Sequence, residues 1–293
     1  MSSVALPREK APRTAPPLVW IPVIAGLAAL YAPTIYDLNG GLWNNEEYAH
    51  GPIVLIAALW LGWQKRAALS AGDDRPATLV AAITLMFGLS CYVIGRSQSI
   101  VALETGSLIP VLAGVVLFTR GWRTLRALWF PLLFLVFMIP LPGVIINPLT
   151  GPLRAYVSVI AEAVLHALDY PIARSGVILH IGSYQLLVAD ACSGINSMFA
   201  LSSMGLLYMY LMRHTSKWRN AILVASILPI AFAANVVRVI VLVLVTYHFG
   251  DAAGQGFIHG FSGIALFIIA LLILFALDAL LGATLFRSQR ESA

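Results

Sequence analysis

The stretch that decides the fold runs from Trp218 to Tyr247 and reads WRNAILVASILPIAFAANVVRVIVLVLVTY. It contains two charged side chains, Arg219 near its start and Arg238 in its second half. A helix needs roughly 20 predominantly apolar residues to cross the hydrocarbon core of a bilayer. Length and composition therefore predict that this stretch crosses a membrane as an α-helix.

The whole chain has the composition of a membrane protein. Of its 293 residues, 60% are apolar and 11% are charged, whereas a soluble domain carries about 25% charged residues. So few charges cannot cover the surface of a soluble protein of this length. The composition therefore excludes a cytosolic enzyme, a nucleic-acid-binding protein and a disordered chain, although the net charge is +5.

Seven other apolar stretches are also predicted to cross the membrane, so the expected fold is an all-α polytopic membrane protein with eight transmembrane helices. The predicted spans lie near Leu18–Tyr36, His50–Trp63, Ala77–Gly95, Ser99–Phe118, Leu125–Ile139, Asn196–Met212, Trp218–Tyr247 and Phe257–Phe286. We expect residues 18–286 to form one transmembrane domain between a disordered, proline-rich tail (residues 1–17) and a short tail (residues 287–293). The first span is predicted to be an uncleaved anchor.

Basic residues alternate between the two sides of these spans. Fourteen of the 18 Lys and Arg residues fall on one side, which the positive-inside rule identifies as cytoplasmic. Both termini are therefore predicted to be cytoplasmic, and an odd number of spans would break the alternation. The other four, which fall on the outer side or near the outer interface and each need a local reason, are Arg96, Arg154, Arg174 and Arg238.

The longest predicted outer segment covers residues 140–195. Apolar residues recur there at helical spacing between Leu153 and Leu168, and a polar row falls on the other face. This pattern predicts an amphipathic helix that lies in the plane of the membrane interface. The polar row consists of Arg154, Ser158, Glu162 and His166.

A small β-hairpin is predicted after this helix. The β-prone runs Val177–Ile181 and Tyr184–Val188 are joined by Gly182-Ser183, which suits a type II′ turn. The hairpin leads the chain to the polar turn before the sixth span.

Cys192 is the first candidate for chemistry, because it lies in the turn Asp190-Ala191-Cys192-Ser193-Gly194 at the start of a predicted helix. The helix dipole and the free N–H groups there lower the pKa of a thiol and favour the thiolate. A reactive thiol and an inert one both remain open on this evidence. Cys91, inside the third span, is expected to be a packing residue.

Arg238 is the second candidate, because a charge within an apolar span is costly and points to function. It lies 20 residues after Trp218, a rise of about 30 Å, and so reaches the outer interface at the expected depth of Cys192. Asn235, one turn below on the same face, can hold the guanidinium. The alternative is an arginine that extends to lipid phosphate.

Histidine is the third candidate. His259 lies at the outer start of the eighth span, which is again the depth of Cys192 and Arg238. Cysteine, histidine and arginine together suit acyl transfer, with an acid/base partner for the thiolate and a cation for the oxyanion. His180 and His248 remain alternatives for the base.

These residues resemble the signatures of the exosortase/archaeosortase family of membrane cysteine transpeptidases. Residues 188–195, which read VADACSGI, resemble its nucleophile motif, and Asn235-x-x-Arg238 and His259 resemble its other two signatures. The run Asn196-Ser197-Met198-Phe199 is similar to type B exosortases.

The resemblance implies a role for each residue. Cys192 would attack a backbone carbonyl and form a thioester, His259 would be the acid/base partner, and Arg238 would hold the oxyanion or a substrate carboxylate. Four residues would support them, and Asp190 among these either caps the sixth helix or orients His259 or Arg238. The supporting residues would be Asn235, Asp190, Ser193 and Gly194.

The resemblance also implies a sorting function in the inner (plasma) membrane, with the active site facing the periplasm or exterior. Substrates would be exported proteins with a C-terminal tail that carries a Pro-Glu-Pro motif, a transmembrane stretch and a basic cluster (a PEP-CTERM tail), commonly linked to exopolysaccharide. Neither a metal nor an organic cofactor is expected, and the membrane lipid is the only other expected partner. The alternatives are a transporter that binds an anion at Arg238 and a non-catalytic factor in envelope assembly.

Overall fold

The computed structural model describes residues 20–45, 48–67, 77–140, 143–187, 194–212, 216–255 and 257–284. Within these ranges, the description excludes the side chains of residues 143–147, 149–150, 194–198, 255, 257–267 and 284. The predicted tails, residues 1–17 and 287–293, lie outside the described residues. The chain forms two compact units, one of residues 1–44 and 51–140 and one of residues 45–50 and 141–293.

The first unit is helical throughout its described part. Its helices are α1 (Trp20–Gly40), α2 (Gly51–Gln64), α3 (Thr78–Ser97), α4 (Val101–Gly106), α5 (Leu108–Thr119), α6 (Trp122–Ala127) and α7 (Trp129–Phe134), and α7 continues as a 3₁₀-helix over Leu135–Met138.

The second unit combines helices with a small sheet. Its elements are α8 (Gly143–Ala167), β1 (Ile172–Ser175), β2 (Ile178–Ile181), β3 (Tyr184–Leu187), α9 (Gly194–Met212), α10 (Lys217–Phe249), α11 (Asp251–Gln255) and α12 (Phe257–Thr284).

The prediction of a mostly helical, multi-pass membrane protein is confirmed. Four segments of the described chain are long and apolar enough to cross a membrane, and four more apolar helices are shorter. Each of them overlaps one of the eight stretches predicted above, and Trp20–Asn44 runs eight residues beyond the predicted end at Tyr36. The count of eight spans and their orientation stay predictions. The long segments are Trp20–Asn44, Thr78–Ser97, Val101–Thr119 and Lys217–Phe249, and the shorter ones are Gly51–Gln64, Trp129–Met138, Phe199–Met212 and Ile268–Ala283.

Arg96 has a local partner within the first unit. Its Nη1 atom bonds Asp37 Oδ2 at 2.5 Å and Glu104 Oε1 at 3.1 Å, and the Thr34 hydroxyl donates to the same Glu104 oxygen at 2.6 Å. Glu104 is buried, so its two contacts, from Arg96 and Thr34, compensate a carboxylate held away from water. This cluster explains a basic residue on the predicted outer side.

The amphipathic helix predicted around residues 153–168 is confirmed as part of α8, and the sheet bonds two residues of its predicted polar row. Ser158 of the predicted polar row is fully buried and donates to the carbonyl of Gly176 at 3.3 Å. Glu162 of the same row accepts from Arg174 Nε at 2.9 Å. The sheet thus supplies hydrogen-bond partners to two residues of the polar row, whereas His166 of this row is exposed. The exposed apolar residues of α8 are Tyr156, Val159, Ile160, Val164 and Leu168.

The predicted hairpin is also confirmed, and the sheet has one more strand than expected. β2 pairs antiparallel with β3, and β1 pairs antiparallel with β2, in the order β1-β2-β3. Gly182 has φ of +56°, whereas Ser183 is not among the residues with positive φ. This combination is that of a type II′ turn, in which only the first central residue needs positive φ.

One hydrophobic core joins α8, the sheet and the C-terminal half of α10. Buried residues of α8 and of the strands pack in it against α10 side chains from Val236 onward. The buried members of this core are Val157, Ala161, Leu165, Leu179, Ile181, Leu186, Val236, Val239, Leu242 and Val243.

Candidate functional site

Arg238 lies on the side of α10 that packs against two other helices, α9 and α12. Ala231 and Ala234 of this face form one buried cluster with Leu201 of α9 and Ala270 of α12. Arg238 follows Ala231 by seven residues and Ala234 by four, so it lies on the same side of the helix. Its side chain is 5% exposed. The predicted intramembrane cation is therefore buried on the side of α10 that packs against α9 and α12.

Asn235, predicted to hold the guanidinium of Arg238, is also buried, at 4% exposure. It lies on α10 between the face that carries Ala231 and Ala234 and the face that packs against the sheet. The prediction that it supports Arg238 has the required helical spacing of three residues.

A polar network joins α9, α10 and α12 near the end of α10 opposite Arg238. The Arg219 guanidinium pairs with Asp278 Oδ1 at 2.6 Å and donates to the Asp278 carbonyl at 2.9 Å. The Tyr208 hydroxyl donates to Asp278 Oδ2 at 2.5 Å. Tyr208 lies on α9, Arg219 on α10 and Asp278 on α12, so each helix contributes one side chain.

This network sets the axial register between α10 and α12. Arg238 lies 19 residues beyond Arg219 along α10, and His259 lies 19 residues before Asp278 along α12. The two helices are antiparallel, so the residues after Arg219 and the residues before Asp278 extend to the same side of the ion pair. Nineteen residues correspond to about 28 Å of rise in each helix. The backbone position of His259 is therefore level with Arg238, whereas its side chain is outside the described part.

A glycine contact gives the matching register between α9 and α10. A Cβ atom on Gly205 would lie 2.9 Å from two side-chain carbons of Ile227, so the two helices touch closely here. Arg238 is eleven residues beyond Ile227, and Gly194 is eleven residues before Gly205. The first turn of α9, which begins at Gly194, is thus also level with Arg238.

The predicted nucleophile immediately precedes this turn in the sequence. Cys192 is two residues before Gly194, and it lies outside the described residues, as do Asp190 and Ser193. The structure therefore brings three helix positions to one level, at Gly194, Arg238 and His259, and the roles assigned to Cys192 and its neighbours stay predictions.

His248 is not at this level. It is ten residues beyond Arg238 on α10, which separates the two by about 15 Å along the axis. Its Nε2 atom and the Tyr170 hydroxyl form a 3.2 Å hydrogen bond, and its ring packs edge-on against Tyr170 and Tyr247. These contacts favour a structural role at the C-terminal end of α10.

His180, the other alternative base, lies on the middle strand of the sheet. Its neighbours Leu179 and Ile181 are fully buried in the core with α10. Because side chains alternate along a strand, His180 points to the face of the sheet turned away from this core. Its cross-strand partners are Ala173 on β1 and Gln185 on β3.

The sequence analysis did not predict the Tyr208–Asp278–Arg219 network, although Asp278 is an ionisable residue within the predicted eighth span. A carboxylate in an apolar helix needs a buried partner, and this requirement was the available signal. In the part of the chain that the structure describes, no group of three or more His, Cys, Asp and Glu side chains could hold a metal ion.

A comparison with protein families matches residues 42–276 to the family described as transmembrane exosortase (Exosortase_EpsH). The match covers most of the chain and includes positions 192, 238 and 259. No curated protein and no solved structure matches the chain.

Proposed function

Because the chain belongs to the transmembrane exosortase family, we propose that it is a cysteine protease/transpeptidase that cleaves the C-terminal sorting tail of exported proteins. The proposed substrates carry a Pro-Glu-Pro motif before a transmembrane stretch, and sorting is linked to exopolysaccharide and the cell envelope. The proposed site faces the exterior of the inner membrane.

The proposed reaction needs three groups. The Cys192 thiolate attacks the scissile carbonyl carbon, and the Arg238 guanidinium stabilises the resulting oxyanion. The His259 imidazolium donates its proton to the leaving amine as the C–N bond breaks, which leaves a thioester on Cys192. Water or an acceptor amine then attacks the thioester and gives a proton to His259, and Cys192 leaves as the thiolate.

The observation that carries this proposal is the common level of Gly194, Arg238 and His259. Three helices contribute to it, although the three residues are far apart in sequence. A buried cation beside the N-terminal turns of two helices is an environment that favours both a thiolate and an oxyanion.

The sheet supports the proposed depth of the site. An open sheet edge cannot face lipid, because its backbone groups would lack partners, and the sheet exposes the polar side chains of Ser175 and Gln185. The part of α10 that packs on the sheet begins near Val236. From Trp218 to Asn235 the helix rises about 26 Å, close to the hydrocarbon thickness. Arg238 therefore fits the outer interface, where a substrate with its own transmembrane stretch would present its cleavage site.

The test is cleavage of a reporter with a Pro-Glu-Pro tail, detected by immunoblot after co-expression. We expect the wild type and the Cys91→Ala variant to shorten the reporter and Cys192→Ala to leave it intact. Cleavage by Cys192→Ala would disprove the assignment of the nucleophile. An intact reporter beside well-expressed wild type would contradict the proposed substrate and favour a transporter or an assembly factor.

A further inference from the structure

The two edges of the sheet differ in how they are protected. β1 follows Pro171, packs against α8, and carries Arg174, which Glu162 of α8 holds at 2.9 Å. Proline, charge and a covering helix are the usual means by which proteins block strand addition at a sheet edge. β3 has the sequence Tyr184-Gln185-Leu186-Leu187, with neither a charge nor a proline.

The turn determines which backbone groups of β3 face the open edge. In a hairpin with a two-residue turn, the residues that flank the turn form a hydrogen-bonded pair, and the pairs alternate from there. Ile181 pairs with Tyr184, so Tyr184 and Leu186 direct their N–H and C=O groups to β2. Gln185 and Leu187 direct theirs outward. Among the described strands, β2 is the one neighbour of β3.

We propose that the open edge of β3 binds the polypeptide to be cleaved, as an added β-strand. This inference rests on the proposed function, which supplies a peptide substrate. Leu187 is five residues before Cys192, a distance that at most about 17 Å of extended chain can span. A strand added to β3 therefore lies within reach of the nucleophile, and its backbone hydrogen bonds hold the scissile segment extended.

The face of the sheet turned away from the core contributes specificity. Gln185 pairs with His180, and Leu187 pairs with Ile178, and these four side chains share that face because paired residues project to the same side. Gln185 and Leu187 are exposed. Alternate side chains of an added strand would contact this surface, which gives His180 a role in recognition instead of base catalysis.

The mode of binding makes a prediction about prolines in the substrate. Proline has no N–H group and is tolerated in a strand only where that group faces away from the neighbour. The backbone nitrogens of two prolines separated by one residue face the same side of a strand. Both can therefore face away from β3, while the N–H group of the residue between them bonds to β3. Moving a single proline to the middle position would place the missing N–H against β3.

Cross-linking tests the proposal without requiring catalysis. In the background of Cys192→Ala and Cys91→Ala, we would introduce Gln185→Cys and oxidise it with reporters that carry one cysteine at successive tail positions. We expect cross-links at every second position, because a strand repeats every two residues. Ser175→Cys is the matched control, because Ser175 lies on the other edge strand, β1, and on the same face of the sheet as Gln185. It should form no cross-links.

The outcomes separate this inference from the proposed function. If the wild type cleaves the reporters and Gln185→Cys forms no cross-link, or cross-links without a two-residue period, strand addition is wrong and the enzyme assignment stands. If Gln185→Cys forms cross-links at every second position but the wild type cleaves no reporter, strand addition stands and the enzyme assignment fails. If there is neither cleavage nor a periodic cross-link, both are wrong.

A substrate series gives an independent kinetic readout. Replacing Pro-Glu-Pro by Ala-Ala-Ala keeps every N–H group, whereas Ala-Pro-Ala removes the middle one. We expect Ala-Pro-Ala to be cleaved about tenfold more slowly than Ala-Ala-Ala, the effect of one lost hydrogen bond. Equal rates would overturn the proposed pairing.

Discussion

Arg219 and Asp278 form an ion pair, 2.6 Å long, that joins α10 to α12. The Tyr208 hydroxyl brings α9 to the same carboxylate. The three helices joined here are those that carry Arg238 in the second half of α10, His259 in the first turn of α12 and Gly194 at the start of α9. A polar contact within an apolar environment is well suited to defining register, because a shift of either helix would separate the charges. The pair thus sets the level of Arg238 relative to the backbone of His259, about 28 Å away.

Loss of this pair should be costly. Asp278 is 5% exposed, and Arg219→Ala removes the guanidinium that compensates its charge. We expect the free energy of unfolding to fall by about 3–5 kcal/mol, measured as thermal unfolding in detergent. Glu162→Ala is the control, because it breaks the Arg174 pair, in which both side chains are 31% exposed, and should cost at most about 1 kcal/mol. Equal losses in the two variants would contradict the role of burial.

Arg238→Lys should reduce activity strongly although the charge is kept. Lysine offers a point charge where arginine offers a planar fork with several donors. We expect kcat/KM on a reporter peptide to fall by about 10²-fold, the scale of a lost oxyanion donor. Arg174→Lys, on the edge of the sheet, should stay near wild type. Near-full activity of Arg238→Lys would mean that this residue supplies only a general field or lipid anchoring.

Thiol labelling of intact cells tests the predicted topology. A membrane-impermeant maleimide should modify Cys192, which is predicted to lie at the outer interface, and should not modify Cys91, which lies within α3. Mass spectrometry of the purified protein distinguishes the two sites. Labelling of Cys192 only after permeabilisation would reverse the predicted orientation.

Close helix packing in the first unit predicts a contrast between two glycines. A Cβ atom on Gly95 would lie 2.8 Å from the Glu104 Cα atom, so Gly95→Ala must push α3 away from α4. We expect a loss of about 1–3 kcal/mol, seen as a lower thermal midpoint. On Gly62 a Cβ atom would have nothing within 4 Å, so Gly62→Ala should be neutral or slightly stabilising. Similar midpoints for both variants would show that α3 and α4 can separate freely.

The faces of α8 illustrate what periodicity leaves open. The spacing of Tyr156, Ile160 and Val164 identified a helix correctly, but a helical pattern does not say which neighbour covers which side. The sheet, whose first strand was not predicted, bonds Ser158 and pairs Arg174 with Glu162. Two residues of the polar row therefore have partners inside the protein, and the apolar side is divided between buried residues such as Val157 and Leu165 and exposed ones such as Tyr156.

The sequence by itself determined the membrane class, the apolar helices and the hairpin, because these follow from local composition, periodicity and turn chemistry. It also singled out Cys192, Arg238 and His259 as candidates. It also predicted that these residues share one depth. Only the tertiary structure decided that Arg238 is buried on the side of α10 that packs against α9 and α12, and that Arg219 pairs with Asp278, since both depend on contacts between residues distant in sequence. Such contacts leave no periodic signal, because each one satisfies a single buried polar group.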